Sequence, residues 1–202
     1  HCPSFRQDHL RGGLMYFDAR VDDARLTLAL ARSAAFHGAT VLNHCKVVEV
    51  TRSGERVDGA IVHTIEGREI KVSAKTVIMA TGVWLRDFMG IGNNSDKPLH
   101  VRPAKGVHVA IPWLKIRNDC TVTVPVPGRS RRATITRWGD VSYLGTTDED
   151  YQGDLDDVHC TRRELDFLIE GANTALDIDL QPAPLDRKTV ESGHSVDLTG
   201  PS

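Results

Sequence analysis

The segment RPAKGVHVAI, Arg102 to Ile111, combines a cluster of cations with the alternating pattern of a β-strand. Arg102, Lys105 and His108 lie within seven positions of one another. The cluster predicts a site for an anion, because Arg binds phosphate through two parallel N–H donors and Lys acts as a point charge. The valines on either side of His108 predict that the histidine lies on the opposite face of the strand from them.

Three further strand-like segments follow, at Cys120 to Val124, Ala133 to Trp138 and Ser142 to Gly145. They are not separated by helical patterns, and such an order is typical of an antiparallel sheet. Thr161 then predicts the start of a helix that runs to about Leu176. Its apolar residues recur on one face, which comprises Leu165, Leu168, Ile169 and Ala172. The residues from Asp177 onward show no clear period.

The first part of the chain predicts a helix and several short strands. Asp22 or Asp23 can accept hydrogen bonds from the free N–H groups at the start of a helix, and Gly38 is suited to its end, so we expect a helix over Asp23 to His37. Short apolar runs predict a strand at Leu14–Asp18, an antiparallel meander and a buried strand. The meander comprises Thr40–Leu42, Val47–Arg52, Val57–Thr64 and Glu69–Val72. The buried strand is Thr76–Ala80, which opens into a tight loop at Thr81 and Gly82.

Composition narrows the class of protein. With 202 residues, 40% of them hydrophobic, the chain can form one large domain or two small ones with a buried core. Its net charge of -2 gives no general attraction to nucleic acid or to acidic membranes, no apolar run approaches the roughly 18 residues of a membrane span, and the amino end does not resemble a signal peptide. The cysteines lie far apart, which predicts reduced thiols and neither a zinc site nor a disulfide framework.

Charged residues in the second half of the chain fall into a basic stretch followed by an acidic stretch. From Arg102 to Arg137 there are eight Lys or Arg residues and one carboxylate, whereas Asp140 to Glu170 contains ten carboxylates and two arginines. Ion pairs could hold these two stretches together, or each could form a separately solvated surface.

Three ordered segments carry a resemblance. They are RGGLMYFDARVDDARL (Arg11 to Leu26), VIMATGVW (Val77 to Trp84) followed by RPAKGVH, and YLGTTDEDYQGDLDD (Tyr143 to Asp157). Together they resemble the FAD-dependent glycerol-3-phosphate dehydrogenases, a branch of the amine and amino-acid oxidase type of flavoprotein, over roughly residues 10–176. The resemblance implies FAD as cofactor and hydride transfer to the flavin, which oxidises glycerol 3-phosphate to dihydroxyacetone phosphate. It also implies a membrane quinone or oxygen as electron acceptor.

The fold class that follows is mixed α/β (α+β), with a partial FAD-binding Rossmann-like domain, a β-meander and an antiparallel substrate domain. We expect residues 1–20 to supply a strand of the substrate domain and residues 21–90 the partial FAD-binding domain. Residues 91–176 would form the antiparallel substrate-binding domain with its closing helix, and residues 177–202 a divergent tail.

The resemblance also implies roles for individual residues. His108 would be catalytic and accept the proton of the substrate hydroxyl as hydride leaves; alternatively, it would only meet solvent. The substrate would be bound by Arg102, Lys105, Thr146 and Thr147, where the alternatives are a surface position for Arg102 and a turn closed by the threonines. FAD would be contacted by Val47, Ala80, Thr81 and Gly82, where the alternatives are core packing for Val47 and a plain turn for the others. No metal ligands are expected.

The chain departs from the family pattern at several points. Its GxG at Gly90 to Gly92 has no buried strand before it, so we reject it as a dinucleotide site. TVESGHSVDLTGPS, Thr189 to Ser202, stands where the family would carry a GLRPL-like segment, and Thr136-Arg137-Trp138 replaces an apolar-Pro-Trp segment. We therefore expect an internal fragment that binds FAD weakly or not at all by itself and is inactive alone.

Other functions remain open. The first is an FAD-dependent amine or hydroxy-acid oxidase of the same architecture, and the second is a non-enzymatic remnant that only binds or assembles. The expected partners are glycerol 3-phosphate or a similar small anion and the electron acceptor, without nucleic acid, and a homo-oligomer is left open. The expected location is cytoplasmic, with peripheral membrane contact of the complete enzyme as an open option.

Overall fold

A computed structural model of the chain describes residues 2–8, 10–85, 88, 101–125, 132–182 and 190–198. The chain divides into two compact units. The larger unit comprises His1–Arg11, Thr81–Arg86 and Asp96–Ser202, and the smaller comprises Gly12–Ala80 and Asp87–Ser95. The rejected GxG at residues 90–92 lies outside the described residues.

The smaller unit begins its regular structure with helix α1, Asp23–Phe36. The Asp22 carboxylate accepts a hydrogen bond of 2.9 Å from the Arg25 backbone N–H, so it satisfies one of the free donors of the first turn. The helix ends at Phe36 with His37 as its cap, and Gly38 follows with φ +90°, a left-handed conformation that favours glycine. The predicted helix is therefore confirmed, and it ends one residue earlier than expected.

Three strands of the predicted meander are also confirmed. Strand β1 spans Cys45–Ser53, β2 spans Arg56–Thr64 and β3 spans Glu69–Ser73, and neighbouring strands pair antiparallel in the order β1-β2-β3. A side chain at Gly59 would collide with the carbonyl oxygen of Val72, so glycine permits the close approach of β2 and β3.

Three other strand predictions for this unit are wrong. Residues 14–18, 40–42 and 76–80 form neither strand nor helix. A strand needs a neighbouring backbone to receive its hydrogen bonds, and these segments have no strand partner among the described residues. The apolar side chains that suggested burial are exposed: Phe17 is 101% exposed and Ile78 is 85% exposed. Apolar content alone therefore did not predict pairing.

The larger unit contains an antiparallel sheet. Its elements are β4 (Val101–Pro112), the short helix α2 (Trp113–Ile116), β5 (Val122–Pro125), β6 (Arg132–Trp138), β7 (Val141–Gly145), β8 (Glu149–Asp150), helix α3 (Arg162–Ala175) and β9 (Val190–Leu198). The strand order is β5-β6-β7-β4-β8, and β9 also pairs with β4. The predicted strands and the closing helix of this unit are confirmed.

Strand β9 falls in the stretch for which the sequence suggested no regular structure. It pairs antiparallel with β4 from Val101↔Leu198 to Val109↔Val190. Backbone hydrogen bonds supply this pairing, and they do not require an apolar pattern in the added strand. For this reason the pairing was not evident from residue types.

The core lies on the face of the sheet that helix α3 covers. One cross-strand row runs through Val109, Leu144, Ile135 and Val122, which are paired in register and buried. Helix α3 adds its buried face, which comprises Leu165, Leu168, Ile169 and Ala172. Burial of each large aliphatic side chain stabilises the fold by about 1.5–3 kcal/mol. This core fixes the sheet whose other face carries the candidate site.

A buried polar network links α2 to the sheet. Asn118 is fully buried, and its side-chain amide donates to the carbonyls of Cys120 and Ile135 at 3.0 and 3.3 Å. The Ser142 hydroxyl donates to the Asn118 side-chain oxygen at 2.6 Å. Because both polar groups are satisfied, their burial is tolerated and fixes the connection between β4 and β5.

Three other features of the chain concern membranes, metals and thiols. In the part of the chain that the structure describes, no helix combines the length and hydropathy that crossing a membrane requires. Among the same residues, no group of His, Cys, Asp and Glu side chains is arranged to hold a metal ion. Cys2, Cys45, Cys120 and Cys160 are free thiols.

Candidate functional site

His108 lies across Gly145, its partner in the pairing of β4 with β7. A Cβ atom placed on Gly145 would come within 2.7 Å of His108 Cγ, so the ring occupies space that only a glycine leaves open. The buried neighbours Val107 and Val109 face helix α3, and alternation along the strand therefore places His108 on the opposite face. The ring is half-buried there.

The loop after β7 contacts β4 beside His108. Thr146 Oγ1 lies 2.6 Å from the position that a Cβ atom on Gly106 would take, and it donates to the Thr147 carbonyl at 2.8 Å. The Thr147 hydroxyl is buried and accepts a hydrogen bond of 3.0 Å from Val107 N–H. The Gly145–Thr146 peptide bond is cis. The structure thus brings the RPAKGVH and GTTD segments together, as one local arrangement.

Other polar groups share the open face with His108. Thr134 pairs with Gly145 across β6 and β7, and its hydroxyl donates to the Gly145 carbonyl at 3.0 Å. Tyr143 lies two positions before Gly145 and is paired with both Ala110 and Thr136. The sequence did not single out Thr134 or Tyr143, because their proximity to His108 depends on the register between strands.

Arg102 lies on the same side of β4 as His108, six positions away. Its Nε atom lies 3.2 Å from Asp150 Oδ1, and both side chains are more than half exposed. An exposed ion pair of this kind contributes roughly 0–1 kcal/mol, so an anionic ligand can compete with Asp150 for the guanidinium at small cost.

Lys105 lies three positions from His108 and therefore on the opposite face of β4. Its amine is buried and donates to Glu164 Oε2 at 2.7 Å and to the His159 carbonyl at 3.2 Å. The Tyr151 ring lies 5.6 Å from the same nitrogen. The structure thus separates Lys105 from Arg102 and His108, with which the sequence had grouped it as an anion grip.

Glu164 receives several hydrogen bonds at one carboxylate oxygen. Besides Lys105, the backbone N–H and the hydroxyl of Thr161 donate to Oε2, at 2.8 and 2.7 Å. Burial by itself raises the pKa of Glu164, but the hydrogen bonds from Lys105 and Thr161 outweigh it and hold the pKa below its ordinary value. The Glu164 carboxylate is therefore stabilised in its charged form. Burial, and then the nearby Glu164 charge, raise the pKa of the Cys160 thiol.

The basic and acidic blocks of the sequence are joined by these contacts. Arg102 pairs with Asp150 at the surface, and Lys105 pairs with Glu164 in the interior. Of the two interpretations that the charge pattern left open, ion pairing between the stretches is the one that the structure supports.

Arg137 lies where the resemblance led us to expect proline. Its guanidinium lies 4.0 Å from the centre of the Trp113 ring and 3.0 Å from Asp119 Oδ1. Stacking and ion pairing together accommodate the charge at the end of β6. The departure from the family pattern therefore leaves the strand intact.

The cofactor residues expected in the larger unit are Thr81 and Gly82. The Thr81 hydroxyl is buried and has no hydrogen-bond partner among the residues that the structure describes. Gly82 follows with φ +54° and begins a 3₁₀ turn at Gly82–Trp84. Apart from its two chain neighbours, no described residue has an atom within 4 Å of a Cβ position on Gly82. A buried hydroxyl without a partner beside a glycine with open space fits a polar ligand.

The cofactor residues expected in the smaller unit are Val47 and Ala80. Val47 pairs with Val62 immediately before an irregularity in the register, because Glu49 pairs with Ile61 and Val48 is the extra residue. Such a β-bulge leaves backbone groups outside the regular pairing, which is compatible with a backbone contact to a ligand. Ala80 is exposed.

The chain is similar to a known protein family and to individual proteins. The family model described as FAD dependent oxidoreductase matches residues 1–195. A glycerol-3-phosphate dehydrogenase of Mycobacterium leprae is 35% identical over 187 residues, which cover 91% of this chain and 31% of the relative. An alpha-glycerophosphate oxidase of Streptococcus pyogenes is 30% identical over 207 residues, 96% of this chain and 33% of the relative.

A solved structure shows the same fold. The X-ray structure of the glycerol-3-phosphate dehydrogenase from Bacillus halodurans, complexed with FAD, matches with a TM-score of 0.88 at 24% identity. The match covers 98% of this chain and 40% of that chain. This chain thus spans about a third of the length of the curated relatives described above. Because the family model matches nearly the whole sequence, the chain belongs to the FAD-dependent oxidoreductase family.

Proposed function

We propose that this chain carries the substrate sheet and part of the flavin domain of an FAD-dependent glycerol-3-phosphate dehydrogenase, which oxidises glycerol 3-phosphate to dihydroxyacetone phosphate. The observation that carries the proposal is the placement of His108 on the open face of the sheet, against Gly145 and beside the Thr146 loop. The names of the relatives from Mycobacterium leprae and Streptococcus pyogenes support this choice of substrate.

His108 is the proposed catalytic base. An imidazole has an ordinary pKa close to neutral, so a ring nitrogen can accept the proton of the substrate hydroxyl at physiological pH. Gly145 leaves room for the ring, and the pairing of β4 with β7 fixes its backbone. When bound, FAD would supply the acceptor for the hydride that leaves the carbon bearing this hydroxyl.

Arg102 and Thr146 are the proposed contacts to the substrate phosphate. The Arg102 guanidinium is exposed and its pair with Asp150 is weak, so it can turn to an incoming anion. The Thr146 hydroxyl donates to a backbone carbonyl next to it and could donate to phosphate instead. Thr147 supports this loop through its bond to β4.

Four residues would hold FAD. Thr81 offers a buried hydroxyl to which no described residue is hydrogen-bonded, and Gly82 offers an open backbone. Val47 and Ala80 would contribute backbone contacts in the smaller unit. For the whole protein we propose a quinone or oxygen as the electron acceptor, with peripheral membrane contact and a homo-oligomer as open features.

The test uses the whole protein of which we propose this chain is a part, purified with FAD bound. His108→Asn should lower kcat for glycerol 3-phosphate by about 10²–10⁴-fold, the range for loss of a general base, with an unchanged flavin absorption spectrum. His63→Asn is the matched control, because His63 is an exposed histidine of the smaller unit. The proposal fails if His108→Asn retains full activity, or if the unmodified protein oxidises glycine or lactate but not glycerol 3-phosphate.

A further inference from the structure

Lys105 and Glu164 form a buried contact between the middle of β4 and the first turn of α3. The side chains are 8% and 2% exposed, and Lys105 Nζ lies 2.7 Å from Glu164 Oε2. We infer that they are a positioning pair, which fixes the part of β4 that carries Gly106 and His108, and that the Lys105 charge is not offered to the substrate. The inference rests on the proposed function for the role of His108.

Glu164 anchors the pair to the start of helix α3. Its Oε2 atom also accepts from the backbone and the hydroxyl of Thr161, while the Thr161 hydroxyl accepts from Glu164 N–H at 3.3 Å. This reciprocal capping fixes the carboxylate independently of Lys105. The amine of Lys105 therefore binds a rigid acceptor, and the lysine backbone is held at a defined distance from the helix.

The β4 backbone on both sides of Lys105 binds the loop that borders the site. Tyr151 N–H donates to the Pro103 carbonyl at 2.8 Å, and Val107 N–H donates to the Thr147 hydroxyl at 3.0 Å. Thr146 fills the space beside Gly106. A displacement of Lys105 along the strand would therefore move the Thr146 loop and the backbone that leads to His108.

The groups around Lys105 and Glu164 favour a positioning role for Lys105 over contact with the substrate. The His159 carbonyl takes a second hydrogen bond from the amine at 3.2 Å, and the Tyr151 ring lies 5.6 Å away. Cys160 lies close enough for the Glu164 charge to act on its thiol. A lysine that is enclosed by an anion, a carbonyl and a ring has its charge compensated inside the protein.

Two hypotheses predict different results for the same variants. If Lys105 binds phosphate, its removal loses a ligand and no change at Glu164 can restore binding. If the pair only positions β4, replacement of both partners by apolar groups keeps the strand in place, because such replacements relieve the burial of charge. Lys105→Met, Glu164→Gln and the double variant Lys105→Met with Glu164→Leu separate the two hypotheses.

The experiment uses the 202-residue chain, with inorganic phosphate as the probe and the NMR signals of the His108 ring as a second readout. Lys105→Met and Glu164→Gln should each shift the His108 ring signals and weaken phosphate binding about tenfold. The double variant should return the His108 ring signals to their positions in the unmodified chain. Its affinity for phosphate should lie within about threefold of that of the unmodified chain. Asp166→Asn is the matched control, because Asp166 is an exposed carboxylate of the same helix.

The inference is overturned if the double variant folds but still fails to bind phosphate, or if Glu164→Gln leaves the affinity for phosphate unchanged. Glu164→Asp covers the case in which the double variant does not fold. It keeps the charge but shortens the reach, so a positioning role requires shifted His108 signals, whereas unchanged signals would contradict it. If the unmodified chain binds no phosphate, the proposed substrate fails, and the His108 signals still decide the role of the pair.

Discussion

The His108 ring lies in the space that any side chain at position 145 would occupy. The absence of a side chain on Gly145 therefore determines where the His108 ring can lie. Gly145→Ala should displace the ring and its strand, and overpacking of this kind costs roughly 1–3 kcal/mol. Thermal unfolding and the His108 ring signals would measure both effects. Gly12→Ala is the control, because no described residue other than its chain neighbours has an atom within 4 Å of a Cβ position there. An alanine at position 145 that leaves the His108 signals unchanged would contradict this relationship.

The Thr81 hydroxyl predicts opposite effects on stability and on cofactor binding. Thr81→Val removes a buried polar group without a partner and keeps the shape of the side chain, so the free energy of unfolding should stay the same or rise by about 1 kcal/mol. If the hydroxyl contacts FAD, the same change should weaken FAD binding several-fold in a fluorescence titration. Thr64→Val, at a position in the smaller unit that the resemblance does not link to FAD, is the control. Equal FAD affinity for both variants would exclude Thr81 from the FAD contacts.

The lowered pKa of Glu164 predicts a dependence of stability on pH. A carboxyl group whose pKa is lower in the folded state stabilises the fold above its ordinary value of 4.5, and this contribution is lost as the pH falls through the folded pKa. Urea unfolding between pH 6 and pH 3 should therefore show a steeper loss for the unmodified chain than for Glu164→Gln, by up to about 1.4 kcal/mol per pH unit. Parallel curves for the two proteins would be inconsistent with this assignment.

Arg137 should contribute more to stability than an ordinary surface arginine. It stacks on Trp113 and pairs with Asp119, whereas Arg162 only pairs with Asp166 one helical turn away. Arg137→Met should cost about 1 kcal/mol and Arg162→Met about 0.3–0.5 kcal/mol in chemical unfolding. A cost for Arg137→Met no larger than that for Arg162→Met would show that the stack contributes nothing measurable.

Helix caps and turn residues correctly predicted the helices and strands that depend on contacts between residues close in sequence. Asp22 and Gly38 marked the ends of α1, and Thr161 marked the start of α3 because its capping partner, Glu164, lies within the same turn. The meander followed from turns at Ser53-Gly54 and Glu66-Gly67, which close strands that are adjacent in sequence.

Strand pairing between residues far apart in sequence could not be predicted from the sequence. Residues 76–80 have the composition of a buried strand, yet they do not pair with any described strand, whereas β9 pairs with β4 across a long separation in sequence. The candidate site shows the same limit. His108 and Thr146 were named from the sequence, and the structure brings their segments together. The direction of Lys105 depended on where helix α3 packs, and residue types alone do not give that information.

Strand β4 has consequences for how this sequence can diversify. Lys105, Val107 and Val109 face the helix, while Gly106 and His108 face the open side. A saturation library across residues 102–111 should therefore give two interleaved tolerance profiles: abundance in the cell should fall for changes at every second position, and ligand preference should change at the positions between them. New substrate preferences could then be selected along one strand while the protein remains folded.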